Sequence, residues 1–285
     1  MNKLTGIILL NVIVNTLGFS QTHEWWANNV GWDGHASWES YILLKPGHMG
    51  PNAFYIPNSL DGVIDTNSSF QLSANSYFTK GEVTLNPFVV WNINFGKRAS
   101  LQINGAPIEF FQTSHDLKTE RKIFHLDYND KIALGDVRFM FSGQIANNMA
   151  IYVGIKTASG TNIGSARYTD TPQYFFNYSI SSGKPGNHFF ASAGFTAWQT
   201  YDDHHNQDDG FTYGLGYIKR LSSNLVLKSE LYGIVAYLRD GDRPMIVSVE
   251  LQKKLAKDEL NFFARQGIYD FPFTNIGFGY KWIWK

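Results

Sequence analysis

The stretch Glu82-Val83-Thr84-Leu85-Asn86-Pro87-Phe88-Val89-Val90-Trp91-Asn92-Ile93-Asn94-Phe95 decides the fold class. Val83, Leu85, Pro87, Val89, Trp91, Ile93 and Phe95 fall on one face of a period of two. Glu82, Thr84, Asn86, Asn92 and Asn94 fall on the other, with Phe88 and Val90 as apolar exceptions. A helix would scatter both sets around its axis, and only a strand separates them. The apolar face is also longer and more aromatic than that of a usual soluble strand of about 5–6 residues.

The same alternation recurs to the end of the chain. Phe139 and Phe141 alternate with Arg138 and Met140, and Ile151, Val153 and Ile155 with Tyr152, Gly154 and Lys156. Tyr174, Phe176 and Tyr178 oppose Gln173, Asn177 and Ser179, while Val247 and Val249 oppose Ser248 and Glu250. Twelve strands are predicted, near 69–78, 82–95, 100–112, 134–143, 149–158, 171–181, 188–201, 210–219, 224–237, 244–253, 259–268 and 274–284. With both termini periplasmic, the short connections, such as Gly96-Lys97-Arg98 and Leu221-Ser222-Ser223, fall at one end. The long ones, 113–133, 159–170 and 202–209, fall at the other. Short periplasmic turns, longer extracellular loops and an even strand number are the pattern of a transmembrane antiparallel β-barrel. A soluble β-sandwich would leave many wide aromatic faces in need of burial.

Composition agrees with an all-β membrane barrel. Charged residues make up 17% of the chain, against about 25% in ordinary globular domains, yet mean hydropathy is only -0.22. Strands that alternate between lipid and water give that combination. The formal net charge of +0 offers no argument for nucleic-acid binding. The absence of cysteine excludes disulfides, thiolate metal sites and a cysteine nucleophile. No cofactor is expected.

Three regions follow. Residues 1–20, with Lys3, the apolar run Ile7 to Val14 and Gly18-Phe19-Ser20, read as a signal peptide too short to span a bilayer. Residues 21–68 hold Trp25, Trp26, Trp32 and Trp38 and fit no barrel pattern; a lumen plug, a periplasmic extension and an interfacial belt are the alternatives. Residues 69–285 form the barrel. Its last strand, Gly277 to Lys285, resembles the terminal signal read by the outer-membrane assembly machinery, which with the lipid bilayer is an expected partner.

On this register Asp136, Arg138, Lys156, Lys228, Glu230, Glu250, Arg265 and Lys281 point into the lumen, either lining a channel or bracing the barrel by pairing across it. A lipid-facing Lys or Arg at mid-bilayer would cost roughly 2–4 kcal/mol. Asp202, His204, His205 and Asp208, in one predicted extracellular loop, are weak candidates for a metal, but their spacing matches no recognised ligand pattern. No catalytic residue is assigned: Ser114-His115-Asp116 are adjacent in a loop and cannot form a triad by order alone, and His125 and Asp127 are no better placed.

The segments Leu134-Gly135-Asp136-Val137-Arg138-Phe139, Lys156-Thr157-Ala158-Ser159-Gly160 and Tyr168-Thr169-Asp170-Thr171-Pro172-Gln173-Tyr174 carry a resemblance to outer-membrane proteins of the MetA-pathway-of-phenol-degradation type, over roughly residues 134–285. Gly50-Pro51-Asn52-Ala53 and Pro107-Ile108-Glu109-Phe110 look like uncharacterised outer-membrane proteins of Bacteroidetes-type bacteria. The resemblance implies a barrel admitting small, often hydrophobic molecules, and supplies no catalytic residue. The expectation is an outer-membrane, porin-like channel for uptake or export of small solutes, hydrophobic compounds or oligosaccharides. The alternatives are an outer-membrane enzyme acting on lipids or glycans, or a scaffold barrel in an envelope complex.

Overall fold

A computed structural model describes residues 34–35, 49–121, 131–162, 166–169, 171–184, 186–198, 209–236 and 243–284. The predicted signal peptide, the four early tryptophans, His125, Asp127 and the loop bearing Asp202, His204, His205 and Asp208 lie outside these residues. The strands are β1 (Ser68–Thr79), β2 (Glu82–Asn94), β3 (Ala99–Gly105), β4 (Ile108–Thr113), β5 (Ile132–Leu134), β6 (Arg138–Ala146) and β7 (Met149–Lys156). They continue as β8 (Gln173–Lys184), β9 (Asn187–Trp198), β10 (Gly210–Arg220), β11 (Leu225–Ala236), β12 (Met245–Lys254), β13 (Glu259–Tyr269) and β14 (Thr274–Trp284). Among the described residues a short helix, α1 (His115–Glu120), follows β4. Its N-cap is Ser114, whose Oγ accepts from the Leu117 N–H at 3.3 Å.

All pairings are antiparallel, and β14 closes the sheet on β1 from Ser68↔Trp284 to Phe78↔Thr274. The fourteen segments amount to twelve barrel strands. The two halves of β2 pair with β3 and β4, so β3 and β4 are one interrupted strand. In the same way β6 pairs with β3 while β5 pairs with β4. The interruption has a local cause. Pro107 has no N–H to donate, and a Cβ on Gly135 would sit 1.8 Å from the Ala106 carbonyl oxygen. The two strands pass there backbone against backbone, which only glycine permits.

The polarity is that of a membrane barrel. On β2, Glu82 and Thr84 are 2% and 0% exposed, whereas Val83 and Leu85 are 42% and 47% exposed. Polar side chains therefore face the lumen and apolar ones face outward, the reverse of a soluble domain. No helix among the described residues is long and apolar enough to cross a membrane; the strands do so. Near the end that carries Ser68 and Trp284, the outward-facing Trp91, Phe70 and Trp282 stand side by side on β2, β1 and β14, with Phe70 and Trp282 centroids 5.8 Å apart. This is one arc of an aromatic girdle at the level where a membrane meets water. That end carries short turns, including Asn147-Asn148 between β6 and β7 and Leu255 to Asp258 between β12 and β13. The opposite end carries the longer connections and is called the loop end below.

Candidate functional site: the lumen

Residues 49–67 run inside the barrel from the loop end to the turn end. At the loop end the Gly50 N–H donates to the Ala166 carbonyl at 2.7 Å. At the turn end Asp65 accepts from Lys281 Nζ at 2.7 Å, and the Asn67 carbonyl accepts from Asn92 Nδ2 at 2.9 Å. This segment has no regular structure, so its backbone groups need partners from the wall. Two inward glutamines supply them. Gln173 accepts from the Tyr55 N–H at 2.8 Å and donates to the Tyr55 carbonyl at 2.7 Å. Gln144 accepts from the Ile64 N–H at 2.8 Å and donates to the Gly62 carbonyl at 2.8 Å. Each amide thus imitates a neighbouring strand. The segment's apolar side chains complete the contact, with Ile64 packing in a cluster with Met140, Tyr152 and Phe175.

A buried ionic cluster closes the loop end around this segment. Arg167, in the connection after β7, bonds Glu82 of β2 and contacts Glu109 of β4 at 2.9 Å, with Thr84 Oγ1 accepting at 2.8 Å. Arg121, just after α1, bonds the other oxygen of Glu82. All four charged groups are buried. Burial alone would weaken the charge on Arg167, but the Glu109 and Glu82 carboxylates outweigh it and raise its pKa. The guanidinium stacks 4.3 Å from the Phe111 ring, and a Cβ on Gly50 would approach its carbon to 2.7 Å. Gly50 is therefore the residue that lets the lumen segment pass over the cluster. Asn52 of the segment also donates to Glu109.

The eight predicted lumen residues are distributed along this path. Asp136 and Lys156 form a buried pair near the loop end, where Asp136 also accepts from the Gly160 N–H at 2.6 Å and so holds the connection after β7 against the wall. Lys228 pairs with Glu230 at 3.1 Å and donates to the Ser59 carbonyl at 2.8 Å. Lys281 pairs with Asp65, as above. Glu250 accepts from Gln252 at 3.0 Å. Arg138 and Arg265 instead face a central cavity of about 230 Å³ between the segment and the wall. Arg138 lies 4.5 Å from the Tyr55 ring and 5.0 Å from Phe88; Arg265 lies 4.4 Å from Phe263.

Sequence reasoning did not single out Glu109, Arg121, Arg167 or the two glutamines. Glu109 had a signal, since it alternates with Ile108 and Phe110 in an apolar strand. Arg121 and Arg167 had none, because both lie in connections where periodicity is silent. Among the described residues no cluster of His, Asp and Glu is arranged to hold a metal ion.

A closed twelve-stranded barrel with an apolar exterior and a polar, partly filled lumen defines a protein of the outer-membrane barrel class. No protein-family model matches the sequence, and no curated protein does. Among solved structures, the COG4313 outer membrane channel from Pseudomonas putida superposes with a TM-score of 0.59 at 10% identity, over 81% of this chain and 100% of that one. The KdgM porin in complex with disordered oligogalacturonate gives 0.48 at 8% identity, over 75% and 99%. The NanC porin gives 0.48 at 9% identity, over 76% and 99%. At such identities the likeness is one of fold.

Proposed function

We propose that this chain is an outer-membrane channel for small solutes whose lumen is gated by its own N-terminal segment. The observation that carries this reading is the lumen itself: a polar-walled barrel holding residues 49–67 through hydrogen bonds and ion pairs rather than through a continuous apolar core. A barrel of twelve strands is wider than the eight-stranded kind whose side chains fill it, and narrower than the open sixteen-stranded porins. The lumen segment makes up that difference. The fold shared with the COG4313 channel, and the resemblance of roughly residues 134–285 to MetA-pathway outer-membrane proteins, point the same way.

The test is single-channel conductance in planar bilayers, comparing the full chain with a variant lacking residues 21–67. The full chain is expected to give small or intermittent currents, and the variant larger and steadier ones. Silence in both proteins, with each shown to be folded by heat-modifiable gel mobility, would overturn the channel reading. Equal conductance in both would keep the channel and remove the gate.

A further inference from the structure

Most charged side chains in the lumen have a partner. Lys156 has Asp136, Lys228 has Glu230, Lys281 has Asp65, and Arg167 and Arg121 share Glu82. Arg138 and Arg265 differ: among the described residues neither forms an ion pair nor donates a side-chain hydrogen bond, and Arg265 Nε is buried with no acceptor. Both face the same cavity of about 230 Å³. Two like charges at one cavity repel each other, and a part-buried guanidinium with no anion in contact is costly; Glu230 and Glu250 act on Arg265 only at longer range. The aromatic rings beside them, Tyr55, Phe88 and Phe263, offset part of that cost through their π faces. They leave the planar, multi-donor edges of both guanidinium groups unused, and those edges match a carboxylate.

We propose that this cavity is a binding site for a small organic carboxylate, held between Arg138 and Arg265. The volume falls below the roughly 300–1,000 Å³ of pockets for drug-sized ligands, so the ligand is of about one ring. The rest of the wall can accommodate its body. Gln71, Asn75, Gln102 and Asn104 offer amides to hydroxyl groups, and Ile56, Val90 and Ile246 offer apolar contact. The inference rests on the lumen being a solute path, for which this would be the selective station. The carboxylate is the shared chemistry; a hydroxylated ring and an aromatic ring are its two possible bodies.

The experiment is isothermal titration of the full chain in detergent with glucuronate and benzoate, each against its neutral amide, glucuronamide and benzamide. At least one acid is expected to bind at least tenfold more tightly than its own amide, a comparison that needs no variant. Arg138→Gln and Arg265→Gln are each expected to weaken that acid at least tenfold, with Arg138→Lys between them and the parent. Binding of glucuronate alone would assign the hydroxylated body, and binding of benzoate alone the aromatic one. Acids no tighter than their amides, or binding untouched by both glutamine variants in folded protein, would overturn the proposal. Conductance measured on the same preparation separates this failure from that of the channel reading: current without carboxylate binding leaves the channel and removes the site.

Discussion

Arg167 ties its own connection to two strands through one guanidinium: to Glu82 of β2, and to Glu109 and the ring of Phe111 of β4. Removing one partner of a buried ion pair costs about 3–5 kcal/mol, because the remaining charge keeps its desolvation penalty. Arg167→Met should therefore lower the unfolding free energy extracted from urea titration by an amount in that range, with a lower midpoint. Arg167→Lys should recover only part, since an ammonium cannot reproduce the two-sided contact. A midpoint unchanged in Arg167→Met would mean that the carboxylates find other partners. Gly135 makes a second demand at this scale. Gly135→Ala would put a methyl against the Ala106 carbonyl, and the expected outcome is a marked fall in the heat-modifiable, folded fraction. The sequence pattern runs a strand through Gly135 and cannot show that the backbone at Ala106 lies against it, because that contact joins two different barrel strands.

The element on which the proposed gate depends is the lumen segment. Gln144 and Gln173 each satisfy one N–H and one C=O of it. Leaving such buried backbone groups unpaired costs roughly 1–3 kcal/mol apiece. Gln173→Leu and Gln144→Leu should loosen opposite ends of the segment, raising the frequency of open events in single-channel records above that of the parent. No change in either variant would show that the segment is held chiefly by its ion pairs and its apolar cluster. The alternation on β2 held one hint of this element. Phe88 and Val90, apolar residues at positions where the pattern asks for polar ones, face the cavity beside the segment. An apolar residue on the inner face needs something apolar to meet, and the segment provides Phe54, Tyr55 and Ile56. Periodicity shows such an exception without naming what it meets.

For the whole molecule, stability comes from a sheet closed on itself by β14 on β1, in a medium that rewards an apolar exterior. Val249 lies near the middle of β12 and faces outward. Val249→Lys should cost about 2–4 kcal/mol in the free energy of folding into lipid vesicles. The inward neighbour substitution Gln252→Lys should change it little, since its side chain stays on the polar side. Comparable losses in both would contradict the assigned orientation of β12. The two ends of the barrel differ as well: short turns at one, and at the other a cluster in which Arg121 and Arg167 tie two long connections to the wall.

Reading the chain in order was enough to obtain the all-β class, the twelve strands of the barrel and the alternation of faces along them. Each of these rests on a period of two, a property of neighbouring residues that any single strand displays. The tertiary structure decided the rest. It split two strands at Pro107 and Gly135, laid residues 49–67 along the lumen, and divided eight similar-looking charges into those with partners and the two arginines at the cavity. Those outcomes depend on which residues face one another across the lumen, often more than a hundred positions apart, as Tyr55 and Gln173 are. Local periodicity carries no information about such pairs, because they are set by the closure of the barrel and the path of the chain inside it.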